Sequence, residues 1–470
     1  DDLAVRHAGG ALRITTRQDI QLHGVVKRDL RQTIRDMNEA LVTTLGACGD
    51  VVRNVVSCPA PLAFRARDEA QQVARDLSDR LLPRTPAYHE IWLNGESVDG
   101  GPPPVAADPL YGARYLPRKF KIGLSFPDDN CCDVHSNDLG LLAVRDGDRI
   151  AGFDVLVGGG LGATHGKKDT FPRLATPLAF AAPSEVQAIA EAVVTVHRDF
   201  GDRTNRRHAR LKYVVEENGI AWFRDEVERR LGRPLLPPRG MPVTEIHDHL
   251  GWHAHGDGRW FLGVFVENGR VRDDGRAALR TALRRVILET GADVRLTPQQ
   301  NLLLAGIAER DRSLVDLVLD DHGVTPVERL SPARRWAMAC PALPTCGLAL
   351  AEAERALPGV LTAIEAELAR LELSDARLTI RMTGCPNGCA RPYTADLAFV
   401  GRSADRYTIF AGGSLLGTRL GTQIADLVRR DDLVAAVRPL LERYRADRQP
   451  GERFGDYCAR AEVGPALTAC

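Results

Sequence analysis

The chain has 470 residues, of which 44% are hydrophobic, 6% aromatic and 26% charged. That length exceeds what one hydrophobic core organises, so two to four domains are expected. Its 62 basic side chains balance 62 acidic ones, which excludes a global field drawing it to nucleic acid or an anionic membrane and leaves anion binding to local clusters.

The opening DDLAVRHAGG has neither a charged region with an apolar stretch nor a basic amphipathic pattern, and no run of eighteen apolar residues follows. A soluble, cytoplasmic protein is expected. The chain begins on Asp1, with its first strong pattern inside fifteen residues, so an N-terminal piece is expected to be missing. That pattern, LRITTRQDIQLHGV (12–25), contains Arg17, Gln21 and His23, and it returns as VRLTPQQNLLLAGI (294–307) with Thr, Gln and Gly in register. By itself His23 reads as a satisfied core histidine. Next come CGDVVRNV with Arg53 and LPRKFK with Lys119 and Lys121. The two lysines alternate along a predicted strand and share one face, which suits an anion.

The run over 121–162 reappears over 378–417, each copy reading strand, turn, strand and glycine bend. A duplicated architecture follows, each half a short β-rich module and then a larger α/β module. Cys131 and Cys132, in the first copy's turn, read as packing thiols. VLVGGGLGA (155–163) matches a dinucleotide fingerprint, but THGKKDTFPRL follows it, with charge and proline where a phosphate-binding helix starts. Close backbone approach to a large flat ligand explains this run, and its twin AGGSLLG, better. A helix is expected over 183–200, then a basic helix over 203–212 with solvated charges. Joints fall near 236–240 and 323–326. A further helix is expected over 361–373, with Leu361, Ile364, Leu368 and Leu371 on one face.

The ten cysteines are too few for a secreted disulfide scaffold and point instead to metal or catalysis. Cys340 and Cys346 in CPALPTC, and Cys385 and Cys389 in GCPNGC, are spaced C-x5-C and C-x3-C. Four thiolates among prolines and glycines suit a cubane iron–sulfur cluster or tetrahedral zinc, for which C-x2-C pairs are the commoner signature. The helix formers after Cys346 place that thiolate at a predicted helix N-terminus, whose partial positive charge favours anionic sulfur.

Together, TTRQDIQLHG, CGDVVRNV, LPRKFK, FDVLVGGGL, CPALPTCGLALAEAERALP and TGCPNGCARPY resemble, in order and over nearly the whole chain, blocks of the assimilatory sulfite and nitrite reductase family. That family carries sirohaem and a [4Fe–4S] cluster. The resemblance implies a pseudo-twofold α/β (α+β) fold: ferredoxin-like half-modules at 1–45 and 241–318, and two sirohaem-cradling α/β domains at 46–240 and 319–470, the second carrying the cluster. It implies that Cys340, Cys346, Cys385 and Cys389 ligate the cluster and that Cys389 also bridges to the sirohaem iron. Arg17, Arg53, Lys119 and Lys121 match the family's cationic pocket, the arginines clamping the anion and the lysines protonating it, with Gln21 and His23 close to the macrocycle. A further pocket arginine of the family lies upstream of Asp1.

The implied activity is six-electron reduction of sulfite to sulfide. A nitrite reductase of the same family is the alternative, those enzymes tending to carry Asn where this chain has Lys121; a non-catalytic zinc protein stabilised by the four cysteines is the alternative from another class. The electron donor is expected to be ferredoxin or a flavoprotein reductase. GCARPY and PDDNCCDV favour ferredoxin, and the basic stretch 203–212 is a candidate docking surface for it.

Overall fold

The computed structural model describes residues 1–84 and 107–464, together with the backbone of a two-residue hairpin at 92–93 and 96–97. Cys470 lies outside the described residues. No helix among them is long and apolar enough to cross a membrane.

The duplication expected from the sequence is visible strand by strand. In the first half, strand Val52–Val56 lies parallel to Phe120–Ser125, which lies parallel to Leu139–Asp146; Arg149–Val157 and Thr176–Ala181 then add antiparallel. In the second half, Met338–Ala339, Ile380–Thr383 and Leu397–Ser403 run parallel, and Arg406–Ala411 and Thr422–Arg429 add antiparallel. These sheets read as nearly continuous apolar runs because helices cover them. On the first pack Arg65–Arg80, through Ala66, Ala70, Ala74 and Leu77, and Val186–Phe200, through Ile189, Val193 and Val196. On the second pack Leu357–Arg370, through Val360, Leu361, Ile364 and Leu368, and Leu433–Asp447. The helix expected over 183–200 forms after a single turn of 3-10 helix at Pro183–Glu185. The helix expected over 361–373 starts and ends a few residues earlier.

Two small sheets complete the pattern. Leu12–Ile14 pairs with Ile20–Leu22 and with Arg270–Val271, and the hairpin of Asp293–Leu296 with Leu302–Ala308 joins Arg259–Val264 and Gly251–Ala254. Their tight turns are built alike. Thr15 and Thr297 each accept, on the side-chain oxygen, the backbone N–H four residues on, and Gln18 and Gln300 each sit in the left-handed region.

The halves meet around a central cluster that includes Val56, Ile246, Phe261, Leu303, Trp336 and Leu415. Each half's glycine run packs on the other half's turn: Ala163 N–H donates to the Pro386 carbonyl (2.9 Å), and the Asn130 amide to the Leu416 carbonyl (2.8 Å). Asp133 and Arg391, equivalent left-handed residues, face each other at 3.8 Å.

Candidate functional site

Cys340 and Cys385 leave the carboxyl ends of neighbouring parallel strands, where loops converge and open α/β sheets place their ligands. Cys340 N–H donates to the Met382 carbonyl (3.2 Å), and Gly384 N–H donates to Cys340 Sγ (3.3 Å). Gly384 is required by close approach: a Cβ there would stand 2.6 Å from both Ala342 Cβ and the Ala351 carbonyl. Gly388 lies at φ +66°, open to glycine at no steric cost, and this lets the CPNGC turn bring Cys389 round to the surface of a cavity. Cys340 and Cys385 are buried, Cys346 is half-buried and Cys389 is exposed. Burial and the neighbouring sulfurs push the Cys340 thiol up to about 12, as expected of crowded thiols that become comfortable anions only beside a cation.

The sequence places Cys346 at the start of a helix, and the structure corrects this. Residues 347–356 are turns and coil, and the helix begins at Leu357. Leu350 and Ala351 donate instead to the Gly384 carbonyl (2.7 and 3.0 Å), and Cys346 to Ala342 (2.7 Å), so the cysteine loops take the hydrogen bonds that a helix would have used.

The cavity beside Cys389 has a volume of about 340 Å³. Its wall carries Arg17, Arg118, Lys119, Lys121, Arg206, Arg207, Arg210 and Arg391, with no acidic side chain among the described residues. In a chain of zero net charge this is a concentrated positive field. Arg17 is fixed by donation to Asn137 Oδ1 (2.9 Å), Asn54 Oδ1 (3.2 Å) and the Ile122 carbonyl (3.0 Å); burial brings its pKa down to about 10, still charged at neutral pH. Lys119 and Lys121 line the same cavity, as their alternation predicts. Burial and then Arg210 bring Lys119 down to about 8, while burial, then Lys119 and Arg17, lower Lys121 well below its ordinary value. A bound anion relieves both effects.

Behind the wall, fully buried Asp138 grips Arg210 with both oxygens (3.0 and 2.7 Å) and accepts Lys121 N–H (2.8 Å). Lys212 is also buried. Its ammonium donates to the carbonyls of Gly160 (3.1 Å), Gly162 (2.6 Å) and Phe171, holding the glycine run in place.

Several expected site residues stand off this wall. Arg53 turns its guanidinium onto the Gly49 carbonyl (3.0 and 3.2 Å) and that of Ala47, close enough that its charge depresses Arg17 and Lys119. Gln21 and His23 lie on and just after the small sheet's edge strand; His23 meets Gln21 Oε1 (3.2 Å) and Arg270 (3.0 Å), and Arg270 pairs with Glu354 (2.7 Å). The basic stretch 203–212 is corrected too. Residues 203–210 form turns, the helix begins at Leu211, and Arg206, Arg207 and Arg210 face the cavity. These three, with Arg118 and Arg391, are the wall cations that sequence reasoning missed. The charge run was the signal, but its direction depends on a fold closing over it.

The first glycine run borders the cavity through Leu161, Gly162 and Ala163, as a flat ligand requires, and no helix follows it, against the dinucleotide fingerprint. Its twin differs: residues 416–417 meet Asn130 and Asp133 of the other half rather than a pocket.

The donor set fits a polyanionic macrocycle next to an iron–sulfur cluster. Buried Arg391 on the wall leaves Nε without a protein acceptor, and Thr383 Oγ1 beside the cysteine turn is likewise unpartnered. The four sulfurs are not gathered as one zinc ion would gather them. Three or more ligand atoms within 4.8 Å of one another occur, among the described residues, only at Cys58, Asp129, Cys131 and His249.

Comparisons with known proteins agree. A family model of the nitrite and sulphite reductase 4Fe-4S domain matches residues 48–235 and 332–465, and one of the nitrite/sulfite reductase ferredoxin-like half domain matches 1–40 and 253–316. A sulfite reductase [NADPH] hemoprotein beta-component of Myxococcus xanthus is 49% identical over 466 residues, 99% of this chain and 82% of the relative. A sulfite reductase [ferredoxin] of Synechococcus elongatus is 46% identical over 479 residues, 98% of this chain and 76% of the relative. The solved Mycobacterium tuberculosis NirA protein superposes with a TM-score of 0.79 at 27% identity, covering 98% of this chain and 80% of that one. The chain belongs to the nitrite and sulphite reductase family, with the duplicated half domains and 4Fe-4S domains that define it.

Proposed function

We propose that this chain reduces sulfite to sulfide. The observation that carries the reading is a cavity walled by cations, with the sulfur of Cys389 on its surface and the loops of Cys340, Cys346 and Cys385 behind. Cys340, Cys346, Cys385 and Cys389 would hold a [4Fe–4S] cluster, Cys389 also reaching the iron of a sirohaem whose carboxylates the wall's arginines would pair. When bound, these groups supply an iron for the sulfur of sulfite and a route for six electrons. The chain's own residues do the rest. Arg17, pinned by four acceptors that include the Asn54 carbonyl, keeps a fixed Nη1 hydrogen to offer an anion's oxygen. Lys119, whose pKa burial and Arg210 bring down to about 8, can give up a proton at working pH and regain one from solvent, and Lys121 beside it on the wall is the second proton carrier within reach of the anion. Arg53 reaches the anion by releasing the carbonyls of the 47–49 turn, while Gln21 and His23 set one border of the macrocycle's site. Retention of partly reduced sulfur follows from the cationic enclosure, which binds each anionic species in turn.

Lys121 on the wall, and the sulfite reductase names of the relatives, support sulfite over nitrite. With reduced methyl viologen as donor, the purified protein is expected to form sulfide with a kcat/KM for sulfite above that for nitrite; the reverse order would overturn this reading. We assign the physiological donor to reduced ferredoxin, on the GCARPY and PDDNCCDV stretches. The relatives carry both donor names, so the discriminating assay compares reduced ferredoxin with an NADPH-dependent flavoprotein. Turnover with the flavoprotein alone would refute the assignment. Action in the cytoplasm goes with a soluble donor of either kind.

A further inference from the structure

A second cluster of metal-ligating side chains lies in the first half. Cys58 follows strand Val52–Val56, and Asp129 and Cys131 lie in the turn after Phe120–Ser125. These are the same places, at the carboxyl ends of two neighbouring parallel strands, from which Cys340 and Cys385 leave the second half. The fourth member, His249, arrives on the segment 241–250, which has no regular secondary structure and links the halves.

All four residues are buried, and their ligand atoms lie within 4.8 Å of one another. Cys58 Sγ stands 3.1 Å from Asp129 Oδ2 and 3.4 Å from His249 Nε2, and His249 Nε2 stands 3.0 Å from Asp129 Oδ2. Around a zinc ion, sulfur at about 2.3 Å and nitrogen or oxygen at about 2.0–2.1 Å in a tetrahedron set ligand edges of roughly 3.3–3.8 Å. Movements of a few tenths of an ångström therefore bring Cys58, Asp129 and His249 to coordination spacing, and Cys131 Sγ, within 4.8 Å of all three, has at most about 1 Å to close. His249 is held at φ +56°, a conformation uncommon for a side-chain-bearing residue and concentrated at functional positions.

We propose that Cys58, Asp129, Cys131 and His249 bind one structural zinc ion, the first half's counterpart of the cluster in the second. Charge supports it. Two thiolates, one carboxylate, a neutral imidazole and a divalent cation sum to one negative charge, which burial would penalise if left alone. Arg67 supplies the balancing positive charge from outside the ligand set: its guanidinium donates to Cys58 Sγ (2.9 Å) and twice to Asp129 Oδ2 (3.2 Å each). Outer donors of this kind orient metal ligands. The ion would tie the 241–250 link to the first half and leave no coordination position open for substrate. The inference does not depend on which anion the main cavity reduces.

The test uses the holoprotein, purified after zinc-replete expression and passed over chelating resin. The expected result is about one zinc per chain in addition to cofactor iron, with zinc-edge X-ray absorption showing two sulfur neighbours at about 2.3 Å and two lighter ones at about 2.0–2.1 Å. Cys131→Ser and His249→Gln are each expected to lower zinc content at least fivefold while iron content holds, and Cys48→Ser to retain zinc. Less than a tenth of a zinc per chain in the parent, a sulfur-free zinc shell, or zinc undiminished in both variants would overturn the proposal. Should the variants fail to fold, the absorption spectrum of the parent decides alone.

Discussion

Replacing Asp138 by Asn probes how the cationic wall is built. Asp138 is fully buried and Arg210 is 12% exposed, so water does little to screen the pair. At an effective dielectric near 20, unit charges about 4 Å apart attract by about 4 kcal/mol, and removing one partner of a buried pair costs roughly 3–5 kcal/mol because the other charge is stranded. Asn keeps one acceptor for Lys121 N–H but turns an amide towards Arg210, so a loss of about 3 kcal/mol is expected. For a domain of this size that lowers the melting temperature by about 6–12 °C, readable by circular dichroism. Arg210 would then no longer hold its place on the wall. In sulfite assays normalised to haem content, KM is expected to rise about tenfold with kcat changed less than threefold, a split that destabilisation alone would not produce. An unchanged KM together with a melting shift under 2 °C would refute the assignment of Asp138 as the residue that positions Arg210.

Lys121→Asn is expected to raise the nitrite-to-sulfite ratio of kcat/KM at least tenfold, equivalent to about 1.4 kcal/mol, and an unmoved ratio would remove Lys121 from substrate choice. Lys212→Met withdraws the donor from three carbonyls in and beside the glycine run; a stability loss of about 2–3 kcal/mol is expected, with weaker haem retention. His197 is buried, with its pKa lowered by burial to about 4, against about 6.5 unfolded. The unfolded chain binds the extra proton first, so this contribution is intact above pH 6.5 and is lost as pH falls to about 4, by about 3 kcal/mol in all. His197→Gln keeps a donor for the Arg118 carbonyl and should flatten the urea midpoint across that window; parallel curves for parent and variant would contradict it.

Strand-level repetition was legible because a strand pattern is local: the 12–25 and 294–307 copies fold into equivalent hairpins, and the two large sheets match strand for strand. The CPALPTC and GCPNGC spacings were legible for the same reason. Features made by contacts distant in sequence were not. The helix formers after Cys346 fold into turns and coil instead, because the Gly384 carbonyl, more than thirty residues on, takes the N–H groups of Leu350 and Ala351. Arg206, Arg207 and Arg210 read as solvated charge until the chain folds them over the cavity, and Asp138 gives no local sign that it anchors Arg210. Cys58, Asp129 and His249 lie far apart along the chain. Cys131, expected to be a packing thiol, is buried as expected but stands among all three.

The central proposal is that Cys389 would hold an iron–sulfur cluster beside a macrocycle under a positively charged roof. Its most direct test is sulfide formation by Cys389→Ala, with reduced methyl viologen as donor and the fold verified by circular dichroism. Loss of sulfide formation by at least a thousandfold is predicted; sulfide made at the parent's rate would contradict the account.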